Sequence, residues 1–94
     1  MPDAIVKAYG YHIYFWSNEG EPLENMHVHI SKTPHPNATK YWITSKGALI
    51  QENNNDNIPA NELKRLVNYI SLEDNVVQVK EKWLSHFGTI TFIQ

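Results

Sequence analysis

Apolar residues recur along this chain at two different spacings, and the change from one to the other divides it. In the first half the period is two. Tyr11-His12-Ile13-Tyr14-Phe15-Trp16 is an aromatic and β-branched run of the kind that favours a strand. It sets Tyr11, Ile13 and Phe15 on one face and His12, Tyr14 and Trp16 on the other. Both faces are apolar enough for a strand covered on both sides. Gly10 in front of it allows a turn or a bulge. Met26 to Ser31 predicts a second strand, with Met26, Val28 and Ile30 toward the core and His27, His29 and Ser31 opposite. Ala38 to Ser45 and Ala48 to Gln51 read as a hairpin around Lys46-Gly47. Ser17 to Asn25 and Thr33 to Asn37 read as loops from their Asn, Gly and Pro content, and Glu52 to Asn57 as a polar surface loop.

From Pro59 onward the period lengthens. Leu63, Leu66, Val67 and Ile70 lie at i, i+3, i+4 and i+7, an amphipathic helical stripe. Pro59 suits the helix start, where its missing N–H costs nothing, and the end is expected near Leu72. A second helix follows, capped by Asp74 or Asn75, with Val76, Val79, Trp83 and Phe87 on one face and Gly88 at its C-terminal end. The tail Thr89-Ile90-Thr91-Phe92-Ile93-Gln94 resembles an edge strand or a segment for association. Strands first and helices after predict an α+β fold, in which a small antiparallel sheet packs on two C-terminal helices. The sheet has about four strands, with the tail as candidate fifth. There is no βαβ alternation and no Gly-rich phosphate loop, which argues against a Rossmann or P-loop nucleotide site.

At 94 residues the chain reads as one domain, 1–94. Its hydrophobic content of 41% and aromatic content of 12% suit a folded globule. A net charge of -2 argues against a dedicated duplex-nucleic-acid binder. The absence of cysteine excludes disulfides, thiolate zinc sites and a cysteine nucleophile. Met1 to Val6 has no basic region leading into a long apolar run, so no signal peptide is expected. No apolar stretch approaches the roughly 18–20 residues of a membrane span. The expected location is cytoplasmic.

The candidate chemistry centres on His27 and His29. At i, i+2 in a strand they point the same way. Neutral imidazoles side by side can act as metal ligands, as an acid/base pair or as a pH switch. A metal would need a further ligand from His12, Glu19, Glu24 or His35, and no spacing singles one out. The plainer account is structural, with both rings hydrogen-bonding the acidic loop and lining a polar sheet face. Glu19, Glu21 and Glu24 most simply form a solvated turn. Tyr14, Trp16, Tyr41 and Trp42 are potential base-stacking groups and Lys7, Lys32, Lys40 and Lys46 potential phosphate contacts, but a small core needs its aromatics first. Trp83 reads as a core anchor, and His86 as a favourable cation at a helix C-terminus. No Gly-x-Ser-x-Gly context marks a serine nucleophile.

An ordered set of pieces resembles a known family. They are Tyr14-Phe15-Trp16-Ser17-Asn18-Glu19-Gly20, Glu21-Pro22, His27-Val28-His29-Ile30, Ala38-Thr39-Lys40-Tyr41-Trp42-Ile43, Glu62-Leu63 and Trp83. The order is similar to that of the small bacterial domain of unknown function 4160, over roughly residues 8–87. Leu23-Glu24-Asn25-Met26 departs from it by lengthening the link between Glu21-Pro22 and His27. The resemblance carries over no biochemical activity. It implies a binding role, because the family's genes often resemble members of toxin–antitoxin cassettes.

The sequence therefore points to a binding protein of a toxin–antitoxin-like or mobile-element module, without a cofactor. Its expected partner is a protein encoded nearby, and a homodimer is allowed. The expected binding residues are Trp16, Glu19, His27, His29 and Lys40. A His-dependent hydrolase or RNase using His27 and His29, with or without a metal, is the alternative. A single-stranded nucleic-acid binder is the third reading.

Overall fold

The structure is a computed structural model and describes residues 2–17 and 23–93. Five strands precede two helices: β1 (Pro2–Ala8), β2 (Tyr11–Trp16), β3 (His27–Ser31), β4 (Thr39–Ile43), β5 (Leu49–Asn53), α1 (Ala60–Ile70) and α2 (Glu73–Phe87). The strands form one antiparallel sheet in chain order, β1-β2-β3-β4-β5. The α+β architecture is the expected one, with a corrected fifth strand.

That strand is β1, at the N-terminal end. Tyr9 and Gly10 both take positive φ, 52° and 83°, and join Ala8 to its partner Tyr11 in a tight two-residue hairpin. The register of β1 shifts between Ala4 and Val6. A bulge of this kind breaks the period-two pattern, which hides the strand from an alternation count. The tail, read as a strand, is not one: residues 89–93 form no strand, although Met26 N–H donates to the Thr91 carbonyl at 2.8 Å. Ile90 and Phe92 instead pack, half-buried, against the core. Glu52 and Asn53, expected in a loop, belong to β5. Pairing with β4, in which Asn53 lies opposite Lys40, overrides their polar character, as an edge position permits.

The helices follow their stripes. Leu66, Ile70, Val76, Val79 and Trp83 are buried, while Leu63, Val67 and Phe87 pack partly buried against the same cluster. The capping differs from expectation. Leu72, not Asp74 or Asn75, is the N-cap of α2, and Glu73 and Asp74 lie in its first turn, where negative charge complements the helix dipole. Asn75 serves α1 instead, its amide donating to the Tyr69 carbonyl at 2.8 Å and satisfying a last-turn acceptor. Gly88 ends α2 at φ 75°, with its N–H on the Leu84 carbonyl.

The core lies between the helices and the sheet face carrying Tyr11, Ile13, Phe15, Val28 and Ile30. Trp83 is fully buried at its centre, 4.9 Å from the Phe15 ring and 4.6 Å from that of Phe87, centre to centre. Leu66→Ala and Trp83→Ala should each lower stability by about 2–5 kcal/mol in urea or thermal unfolding, because each empties a filled core site. A loss below about 0.5 kcal/mol would place these side chains at the surface.

Candidate functional site

All of β3 is buried, its histidines included: His27 is 0% exposed and His29 5%. Val28 is buried too. The two imidazoles are neighbours, with ring centres 5.1 Å apart, as the i, i+2 spacing predicts. They do not, however, line an open polar surface together. His27 lies past the last β2–β3 pair, Tyr14↔His29. Its ring meets Trp83 at 5.2 Å and Trp42 at 5.6 Å. Its Nδ1 donates to the Asn25 carbonyl at 2.8 Å, since a carbonyl can only accept. His29 stacks on Tyr14 at 5.6 Å, and Tyr14 meets the edge of Trp16 at the same separation. A row of rings thus runs along the sheet from Trp16 through Tyr14 and His29 to His27, whose ring joins it to Trp83 of α2.

The outer end of this row opens into a cleft of about 630 Å³. Trp16, Ser17, Glu24, His29, Pro36, Asn37, Ala38, Lys40, Asn53 and Asn55 line it. Trp16, His29 and Lys40, expected at the site, meet there. His27 does not reach it, and Glu19 lies outside the described residues, as do Glu21 and most of the turn around them. Lys40 is held on two sides. Its ammonium lies 2.8 Å from a Glu24 carboxylate oxygen and 4.3 Å from the centre of the Trp42 ring. The Lys40 side chain is 15% exposed and that of Glu24 37%. A part-exposed ion pair contributes at most about 1 kcal/mol to stability.

The three asparagines of the cleft were not anticipated. Asn37 comes from the loop before β4, Asn53 from the end of β5 and Asn55 from the loop that follows it, and the order of that loop lies in its side chains. Asn54 accepts from Ile58 N–H and from the Thr39 hydroxyl, at 3.1 and 3.0 Å, and returns its amide to the Ile58 carbonyl. Asp56 receives the Thr39 N–H on one oxygen and His35 Nε2 on the other, at 3.2 and 2.5 Å. Asp56 thus ties the 54–58 loop to the loop before β4. The signal was the density of Asn and Asp, whose side chains bond nearby backbone in turns. Among the described residues no three His, Asp or Glu groups gather to hold a metal ion. Of the further ligands considered, His35 engages Asp56 and Glu24 engages Lys40.

A smaller cleft, about 420 Å³, lies at the other end of the same loop, among Tyr11, Lys32, His35, Asp56, Asn57 and Glu62. Burial raises the Tyr11 phenol above its usual 10.0, and the carboxylates of Glu62 and, less, Asp56 push the same way. The folded chain then holds this proton more tightly than the unfolded chain. The resulting stability is complete below pH 10.0 and falls as pH rises toward the folded value. Tyr11→Phe should therefore make the alkaline fall in melting temperature shallower than in the unaltered chain. Equal slopes would mean that Tyr11 ionises equally in both states.

No curated protein and no solved structure matches the chain. A protein-family comparison matches residues 10–83 to "Domain of unknown function (DUF4160)". That span runs from the turn before β2 to the buried tryptophan of α2, and so includes the central strands and all the residues that line the larger cleft. The chain belongs to the DUF4160 family.

Proposed function

We propose that this protein is a binding module that receives a segment of a partner protein in the cleft between Trp16, His29 and Lys40. The observation that carries the reading is the composition of that cleft. An indole, an imidazole, a clamped ammonium and the asparagines 37, 53 and 55 converge on one concavity. Few precisely placed polar groups beside aromatic surface are what recognition sites use. A toxin–antitoxin-like cassette is the setting we propose, with the adjacent gene's product as partner and the cytosol as location.

The geometry favours binding over acid–base chemistry by the histidine pair. A general acid or base must reach the proton it transfers, and His27 is enclosed by Trp42 and Trp83 away from the cleft. It gives less support to base stacking, because of the four candidate rings Tyr14 and Tyr41 are buried and Trp16 and Trp42 only half-exposed, and a stacked base needs an open ring face.

The test is co-purification with the adjacent gene's product. Trp16→Ala should weaken capture by about tenfold or more, the scale of an anchor residue at an interface, and leave the circular dichroism spectrum unchanged. Undiminished capture by Trp16→Ala, or no capture by the unaltered chain, would defeat the proposal. His27→Ala should act differently. It leaves a void where a fully buried ring was and removes its part-buried hydrogen bond to Asn25, so it should cost about 1–3 kcal/mol of stability in thermal unfolding. A His27→Ala chain as stable as the original would show that the ring is not part of the packing.

A further inference from the structure

We propose that the cleft recognises a carboxylate side chain of the partner protein, and that Glu24 occupies that carboxylate's place when no partner is bound. The inference rests on the reading of the cleft as a binding site and names what it binds.

The two halves of the Glu24–Lys40 pair are held unequally. Lys40 is on β4, opposite His29 on one neighbouring strand and Asn53 on the other. Its ammonium is seated against the Trp42 ring at 4.3 Å. The face of an indole attracts a cation, so this charge stays in place whether or not Glu24 is present. Glu24 belongs to a stretch without strand or helix, between Leu23 and β3. Its carboxylate is the more exposed half, 37% against 15%. The cation is built in and the anion is displaceable.

Exchange is also cheap. When an incoming carboxylate takes the position 2.8 Å from the ammonium, one charge-assisted hydrogen bond replaces another. Glu24 moves toward solvent, where it already has access. Desolvation of Lys40 has been met by the fold, so the ligand does not meet it again. Asn37, Asn53 and Asn55 around the cleft offer amides, which can donate to the second carboxylate oxygen or accept from the ligand backbone. A basic side chain would be drawn to Glu24 instead, but would then bring a second cation against Lys40.

The experiment titrates the isotope-labelled full chain with blocked tetraglutamate, tetraglutamine and tetralysine peptides. The indole N–H signals of Trp16 and Trp42 are followed by NMR. Tetraglutamate should shift both indoles at millimolar concentration, and added salt should weaken the effect. Glu24→Gln, which keeps shape and removes the competing charge, should strengthen tetraglutamate binding by roughly three- to tenfold. Lys40→Met, which keeps the apolar stem, should abolish it while the remaining spectrum reports an intact fold. Equal affinity for Glu24→Gln and the original chain, equal response to tetraglutamine, preference for tetralysine, or no response to any peptide would each overturn the carboxylate assignment. The same variants in co-purification separate this claim from the broader one. If Trp16→Ala loses the partner while Lys40→Met keeps it, the cleft is the binding site and the carboxylate assignment is wrong.

Discussion

The rest of the structure depends on β3 being buried on both faces. A five-residue strand in the middle of a five-stranded sheet has only two ways to hide polar side chains, by hydrogen bonds or by stacking. Val28 and Ile30 meet the helices in the main apolar cluster. The opposite face carries polar groups, so it is closed by other means. Tyr14 donates to the Ser31 hydroxyl at 2.9 Å, the Ser31 hydroxyl donates in turn to the Thr33 carbonyl, and the His35 N–H donates to the Tyr14 oxygen at 3.3 Å. His29 lies flat against Tyr14. Each such bond contributes only about 0.5–1.5 kcal/mol net, but leaving one unmade in the interior costs about 1–3 kcal/mol. The network is therefore better understood as a condition of burial than as a source of stability.

This condition draws in the loops. The segment between β3 and β4 covers Tyr14 and Ser31, and it must be held in place to do so. Asp56 holds it, taking the Thr39 N–H and His35 on its two oxygens. Asn54 then fixes the loop that carries Asp56 through its contacts with Ile58 and Thr39. The same two loops bring Pro36, Asn37, Ala38 and Asn55 to the cleft lining, beside Asn53 at the end of β5. The rigid wall of the candidate site is thus a by-product of covering the second face of β3. Its polar lining follows from loops that are hydrogen-bonded rather than packed.

Residues with a strong local period could be read from the sequence, and residues whose role depends on distant partners could not. β2 shows its six residues through an unbroken aromatic and β-branched run, and α1 and α2 show their buried faces through 3.6-residue spacing. β1 was missed because its bulge cancels the alternation. The tail was misread because β-branched and aromatic residues also suit a segment that packs without pairing. The shared orientation of His27 and His29 was legible from spacing alone. Their burial was not, since Trp83 lies far along the chain and alternation does not say what covers a face. The meeting of Trp16, His29 and Lys40 followed from strand order. Asn53 arrives through its pairing with Lys40, but the arrival of Asn37 and Asn55 required the Asp56 contacts, which join residues 17 and 21 positions apart and have no period to detect.

The two faces of the sheet consequently have different capacities for function. The helix-covered face is committed: its side chains interdigitate around Trp83, and a ligand could enter only by undoing core packing. The loop-covered face is closed at its centre by Tyr14 and His29 and open at its rim, where Trp16, Lys40 and Glu24 remain half-buried. Half-burial gives such groups energetic leverage. A fully exposed charge is screened by water and a fully buried one cannot meet a partner, whereas an ammonium seated on an indole is partly desolvated and still within reach. His29 supports this rim from behind. Stacked on Tyr14 and opposite Lys40 on the neighbouring strand, it makes this part of the sheet face a packed surface that fixes the position of Lys40, while His27 ties the same strand to Trp83 in the core.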